Sequence, residues 1–219
     1  MAYKLSIITI NYNNKNGLLK TVESVVNQKN KDFEYLIIDG GSSDESISVI
    51  DAYKTEINYY ISEKDSGVYN AMNKGIKAAN GEFVLFLNSG DFLMNSEITS
   101  FILPLLSNDT SIYYGNLIYS TSTVPSMLCK PPKELSFSFF LNYSLPHPSS
   151  FIKKSLFEKY FYYNENYKIV SDWEFFIFCI CKKNESYKYI DYIISNFDDG
   201  GISGATENLK VIESEKKET

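Results

Sequence analysis

Apolar and polar positions along the first 106 residues repeat one unit. Leu5 to Ile10 reads as a continuous apolar strand that ends in the polar run Asn11-Tyr12-Asn13-Asn14. Leu18, Leu19, Val22, Val25 and Val26 then recur at helical spacing on one face. Phe33 to Ile38 predicts a second buried strand, closing at Asp39-Gly40-Gly41, and Ser42 with Glu45 has the spacing of a capping box that starts the next helix. Ile57 to Ile61 predicts a third strand. The loop Glu63 to Gly67 leads into a helix carrying Val68, Met72, Ile76 and Ala79, which Gly81 stops before a fourth strand, Phe83 to Leu87.

Strands that alternate with helices and are apolar on both faces predict an α/β fold, a mainly parallel central sheet with helices on both faces. Ligands of such sheets bind beyond the carboxyl ends of the strands, and all four ends here carry polar or glycine-rich loops. From Ser111 onward the pattern changes to aromatic strands, a loop with Pro125, Pro131 and Pro132, and late helices. No linker separates the parts. The expectation is one domain over residues 1–219, with halves at 1–106 and 107–204 and a charged tail at 205–219.

Composition narrows the function. The net charge is −6 and no basic run exceeds a lysine pair, so nucleic acid is not an expected partner. A strand begins almost at the N-terminus, so no signal peptide is expected, and no apolar run reaches the ~18 residues of a membrane span. Cys129, Cys179 and Cys181 are odd in number, and a single His147 rules out a multi-histidine metal site. Reduced, buried, structural cysteines and a cytoplasmic location are expected. The 18 Tyr and 15 Phe lie mostly beyond residue 110, as a sugar-binding groove or as an aromatic core would have them.

The chain has no G-x-x-x-x-G-K, and no G-x-G-x-x-G after the first strand, so neither a P-loop nor a dinucleotide fingerprint is present. Leu87-Asn88-Ser89-Gly90-Asp91 ends the fourth strand. A carboxylate in such a small-residue turn either holds a hard cation against substrate phosphates or caps the following helix. Ile169-Val170-Ser171-Asp172-Trp173-Glu174 opens a late helix, where Asp172 is either a general base or an N-terminal acid favoured by the helix dipole.

The order of the motifs is informative. Ser6 to Asn13, Ile38 to Asp44, Glu63-Lys64-Asp65-Ser66-Gly67, Ala71 to Gly75 and Leu87 to Asp91 follow one another at strand ends. Together they closely resemble the inverting family 2 glycosyltransferases of GT-A fold, in the branch serving bacterial surface polysaccharides, from about residue 4 to about residue 204. The resemblance implies that Ile10, Asn11 and Tyr12 cradle the base and ribose of a nucleotide-sugar donor, most often UDP-linked. It implies that Asp39 hydrogen-bonds the base, and that Lys64 and Asp65 close on the nucleotide. Asn88 and Ser89 fall in the donor loop, Asp91 matches the metal-binding acid for Mn²⁺ or Mg²⁺, and Asp172 matches the catalytic base, with Glu174 the weaker candidate. The implied acceptor is a lipid-linked oligosaccharide at the inner face of the membrane. Residues 1–106 would then be the donor half and 107–204 the acceptor half.

Three departures from the family pattern stand out. Ile10 replaces a common proline, Gly40 a second acid, and Asn88 the first acid of D-x-D, with Gly90 where a further acid is common. One carboxylate is left for the metal, whose affinity would rest on the diphosphate. His147-Pro148-Ser149-Ser150-Phe151 resembles the segment lining the acceptor side, or is a surface loop; Gly200-Gly201-Ile202-Ser203 resembles a loop that folds over the diphosphate, or is a plain flexible loop. The rival readings are a sugar-1-phosphate nucleotidyltransferase, which usually has a glycine- and arginine-rich phosphate loop not found here, and a non-catalytic sugar-binding relative. Asn208 to Thr219 is expected to be a short charged segment, helical at most, with weak membrane contact.

Overall fold

The computed structural model describes residues 3–120, 126–198 and 208–218. The first unit folds as β1 (Leu5–Asn11), α1 (Lys15–Val26), β2 (Glu34–Asp39), α2 (Ser46–Ala52), β3 (Tyr59–Ser62), α3 (Val68–Ala78) and β4 (Phe83–Phe86). Side chains alternate across β1 as the pleat requires. Ile8 and Ile10 meet Met72 and Ile76 of α3 on one face, while Leu5 and Ile7 meet Leu18, Val22 and Val25 of α1 on the other. Two local expectations fail. Glu45 adopts a left-handed conformation (φ 66°) and makes no side-chain cap; Ser42 is instead drawn to Asp39, while the Asp44 carboxylate accepts from the Ser46 amide and hydroxyl. β3 is not buried on both faces: it is an edge strand, with Tyr59 and Tyr60 exposed.

The chain continues through β5 (Phe92–Leu93), α4 (Ile98–Ile102), β6 (Ile112–Ser120), β7 (Met127–Cys129), α5 (Phe137–Asn142), β8 (Ser150–Lys153), α6 (Ser155–Lys159), α7 (Ser171–Ile177), β9 (Tyr187–Asp198) and α8 (Leu209–Glu218). All the strands join one sheet in the order β3-β2-β1-β4-β8-β6-β9-β5, with β7 beside β6. β1 to β4 pair in parallel, as expected; β8 is antiparallel to both β4 and β6, β9 is parallel to β6, β5 is antiparallel to β9 and β7 to β6. The sheet is therefore mixed, its longest pairings the parallel ones of β1 with β2 and of β6 with β9, and its antiparallel pairings short and confined to the second half and its junction with β4. The late aromatics are chiefly core: Tyr113, Tyr114, Phe140, Phe151, Phe157, Phe175 and Phe176 are fully buried. Cys179 is buried, but Cys181 is exposed, against expectation, because it lies on the outer side of the π-helical turn that follows α7. No helix among the described residues is long and apolar enough to cross a membrane.

At the end of the sheet remote from the strand-end loops, Glu34 is buried at 3% exposure and holds the turn before β4. It accepts from Ser6 Oγ (2.6 Å), Asn80 N (2.7 Å) and Asn80 Nδ2 (2.7 Å), while Ser6 Oγ accepts from Gly81 N at 2.8 Å. A Cβ on Gly81 would stand 2.5 Å from the Ser6 backbone nitrogen, which cannot swing aside. Gly81→Ala is expected to destabilise the protein by roughly 1–3 kcal/mol through overpacking, read as a lowered urea midpoint with unchanged m-value.

Candidate active site at the strand ends

The register of the parallel strands lines up three polar residues: Asn11 is level with Asp39 and Asp39 with Ser62. Asp39, in the middle, is fully buried. Its Oδ1 accepts from Asn11 Nδ2 (2.7 Å) and Ser42 Oγ (2.6 Å), and its Oδ2 from Ser62 Oγ (2.6 Å), Ser42 N (2.9 Å) and Gly41 N (3.2 Å). Burial alone would push its carboxyl up; the bonds from Ser42, Ser62 and Asn11 outweigh that and hold it below the usual carboxylate range. Asp39 thus organises the turns around it, and direct contact with a base would require some of these bonds to be exchanged. Ser89 continues the row, its Oγ donating to Asn11 Oδ1 at 2.7 Å and its N to the Ile10 carbonyl at 3.0 Å.

The loop carrying Lys64 and Asp65 lies over Gly40. A Cβ there would meet Asp65 Oδ2 at 2.6 Å and the Tyr12 ring at 3.2 Å, so a side chain at this position would push the Asp65 carboxylate aside. Tyr12 is 66% exposed, and Lys64 is exposed.

Asp91 follows β4 and is withdrawn to 2% exposure. Its Oδ2 accepts from Asn88 N (3.2 Å) and its Oδ1 from Asp198 N (3.0 Å), where the pairing of Phe92 with Asn196 brings the end of β9 alongside. Gly90 has φ +110°, a region side chains avoid, and its Cα faces the Asp198 carboxylate. Burial pushes the Asp91 carboxyl up to about 6, against the pull of His147.

A polar line leaves this corner. Because β8 runs antiparallel to β4, the turn before it sets His147 beside Asn88. Asn88 Nδ2 and His147 Nε2 are 3.2 Å apart, and His147 Nδ1 lies 3.4 Å from Asp172 Oδ2. Asp172 Oδ1 accepts from the Tyr69 hydroxyl (3.1 Å) and the Trp173 amide (2.9 Å). Burial, and then the charge of Asp172, hold the Tyr69 hydroxyl protonated. His147 and Asp172 keep side-chain exposures of 16% and 15%. The structure therefore brings Asn88, Asp91 and Asp172 together on one line, and Ile10, Asn11, Asp39 and Ser89 in a neighbouring row, with Tyr12, Lys64 and Asp65 at its rim. Glu174 is on another side of α7, with one oxygen buried and unpartnered among the described residues. Tyr69 and Asp198 were missed by the sequence analysis; the only local sign of Asp198 is its place just before Gly200-Gly201, and that glycine loop lies outside the described residues.

The corner at Asp91 fits a hard divalent cation. Asn88 Oδ1 is a buried carbonyl oxygen without a partner among the described residues, and the carboxylates of Asp91 and Asp198 are close enough to repel each other. No three His, Cys, Asp or Glu side chains close a complete site among the described residues. The remaining ligands would come from substrate phosphates.

Comparisons with known proteins identify the family and the fold. The family model described as Glycosyl transferase family 2 matches residues 6–161. A PGL/p-HBAD biosynthesis glycosyltransferase of Mycobacterium bovis BCG is 26% identical over 188 residues, 83% of this chain and 72% of the relative. Escherichia coli WfgD, a UDP-Glc:alpha-D-GlcNAc-diphosphoundecaprenol beta-1,3-glucosyltransferase, is 29% identical over 133 residues, 60% of this chain and 53% of its own. Among solved structures, S. aureus TarS 1-349 in complex with UDP-GlcNAc matches with a TM-score of 0.71 at 19% identity, over 89% of this chain and 58% of that one. The likeness to TarS is one of fold, and this chain spans little more than half the length of WfgD and of that TarS chain.

The raised carboxyl of Asp91 has a measurable cost. Its stabilising contribution is complete below the unfolded value of about 4 and is lost as pH rises through about 6. In the presence of a chelator, the stability of Asp91→Asn relative to the parent should therefore rise by about 2–4 kcal/mol between pH 4 and pH 7. Urea unfolding of both chains across that range measures it, and a pH-independent difference would show that Asp91 is not held protonated by the fold.

Proposed function

The chain belongs to glycosyl transferase family 2, and we propose that it moves a sugar from a nucleotide diphosphate sugar, UDP-linked, to a hydroxyl of a lipid-linked oligosaccharide, inverting the anomeric carbon. The observation that carries this reading is the polar line from Asp91 through Asn88 and His147 to Asp172. It supports a phosphate-facing corner and a proton acceptor at the two ends of one connected set of side chains. The UDP-GlcNAc complex of TarS supports a UDP-sugar donor, and the diphosphoundecaprenol in the name of WfgD supports a lipid-linked acceptor. The membrane's inner face, where such an acceptor is met transiently, is the place of reaction. Membership of the family sets aside the nucleotidyltransferase reading.

In this mechanism the nucleotide lies across the strand ends. The exposed Tyr12 ring is a stacking platform for the base. Asp39 holds the turns beneath it, and the Lys64–Asp65 loop covers its edge. Asp91, with Asn88 Oδ1 and Asp198, would hold Mn²⁺ or Mg²⁺ against the diphosphate. When bound, the cation neutralises charge on the leaving group as a Lewis acid. Tyr69 and the Trp173 amide occupy Oδ1 of Asp172, so Oδ2, on the His147 side, is the oxygen with capacity to spare. That oxygen takes the proton of the acceptor hydroxyl as its oxygen bonds to the anomeric carbon and the bond to the nucleotide diphosphate breaks.

A donor panel assayed for nucleotide diphosphate release, with and without Mn²⁺, tests the assignment. Asp172→Asn keeps the shape but not the basicity, so turnover should fall roughly 10²–10⁴-fold with donor affinity little changed. Loss of donor binding instead would place Asp172 at the nucleotide. Asp91→Ala should abolish metal-dependent donor binding and turnover together; transfer at the parental rate would refute the metal assignment. A parent that binds UDP-sugars but transfers none would favour the non-catalytic relative.

A further inference from the structure

The C-terminal helix is not a loose charged tail. Ile212 of α8 packs against the core cluster that contains Trp173, and Glu215 is buried at 8% exposure. The Glu215 carboxylate accepts three consecutive backbone amides: Lys168 N at 2.7 Å and Ile169 N at 3.1 Å, with Val170 N at 3.2 Å. These amides immediately precede α7, where a helix start leaves N–H groups without intrahelical partners. One residue further along α8, Lys216 Nζ stands 4.7 Å from the centre of the Trp173 ring. The indole in turn donates from Nε1 to the Phe140 carbonyl at 2.6 Å, tying α7 to α5.

Asp172 lies between these two attachments. Glu215 grips the backbone up to residue 170, and Lys216 covers the ring of residue 173. The Ile169 carbonyl, inside the gripped segment, shares the single Tyr69 hydroxyl proton with Asp172 Oδ1. Removing the Glu215 carboxylate would strip one acceptor from three adjacent amides and let this segment relax. Near-attack geometry is sensitive to such movement, since a displacement of about 1 Å can cost about 10²-fold in rate.

We propose that Glu215 is a positioning residue for Asp172: by binding the backbone amides of residues 168–170, the docked C-terminal helix sets the carboxylate against the acceptor hydroxyl. This rests on the reading of Asp172 as the base. It assigns the tail to the active site's framework rather than to a membrane surface, and it separates the tail from the donor row, which Glu215 does not touch.

Trp173 is the only tryptophan in the chain, so its emission reports the docking without any assay of activity. Three variants of the full chain are compared with the parent: Glu215→Gln, a truncation after Asn208, and Glu213→Gln on the exposed side of α8 as a control. Glu215→Gln should shift the Trp173 emission, lower kcat about 10–100-fold and leave the donor KM within about twofold of the parent. The truncated chain should shift it further to the red, and Glu213→Gln should match the parent. Hydrogen exchange at the amides of residues 168–170 should speed up in Glu215→Gln while β1 and β4 keep their protection, which separates local release from global unfolding. A changed emission with unchanged kcat would overturn the positioning role and leave Glu215 structural. Unchanged emission in the truncated, folded chain would overturn the docking itself. A parent inactive with every donor would overturn the functional reading, while the emission and exchange arms still decide whether the helix holds this segment.

Discussion

A carboxylate with 2% exposure must be held by the protein around it, and Asp91 is held from two distant parts of the chain. One oxygen takes an amide from its own turn after β4, and the other takes the Asp198 amide at the end of β9. The contact brings the two halves of the sheet onto the same corner: β1 to β4 deliver the strand-end loops, and β5 and β9 bring the second half alongside. Thr21 of α1 reinforces it, donating to the Asp91 carbonyl at 2.6 Å and accepting from Gly90 N at 3.0 Å. The position of Asn88, and through it of His147 and Asp172, follows from this joint.

Function and stability oppose each other here. A buried carboxyl raised to about 6 and a neighbouring acid are unfavourable in the absence of a cation. An orphaned amide oxygen adds to the cost. The rest of the fold offsets these terms with ordinary packing on both faces of the sheet. The proposed base is treated differently: Asp172 is held by a tyrosine hydroxyl, a backbone amide and an imidazole, on a segment whose approach is itself held by Glu215. The corner proposed to meet phosphate is poised for charge, whereas the proposed proton acceptor is fixed in place.

What could be read from the chain depended on how local the cause was. β1, α1, β2 and α3 follow from periodicity, because period-2 and period-3.6 burial act within a few residues. Asn11, Asp39 and Asp91 were legible as strand-end residues for the same reason. Ser42 misled, since its hydroxyl has a better partner in Asp39 than the helix start offers. β3 misled because its tyrosines look like core until its edge position is known. Asp198 and Glu215 gave no usable signal. Their partners lie 107 and 45 to 47 residues away, and only the tertiary fold makes those carboxylates different from any other surface acid.

The account depends on a single displacement in which Asp172 serves the acceptor oxygen and no protein group attacks the sugar. Such a reaction turns over the anomeric centre once. The most direct measurement is therefore the anomeric configuration of the first-formed product, read from its proton coupling constants by NMR before mutarotation or further transfer. The account predicts a configuration opposite to that of the sugar in the nucleotide donor. Retention would require a covalent sugar–enzyme intermediate or front-face attack and would contradict the role given to Asp172.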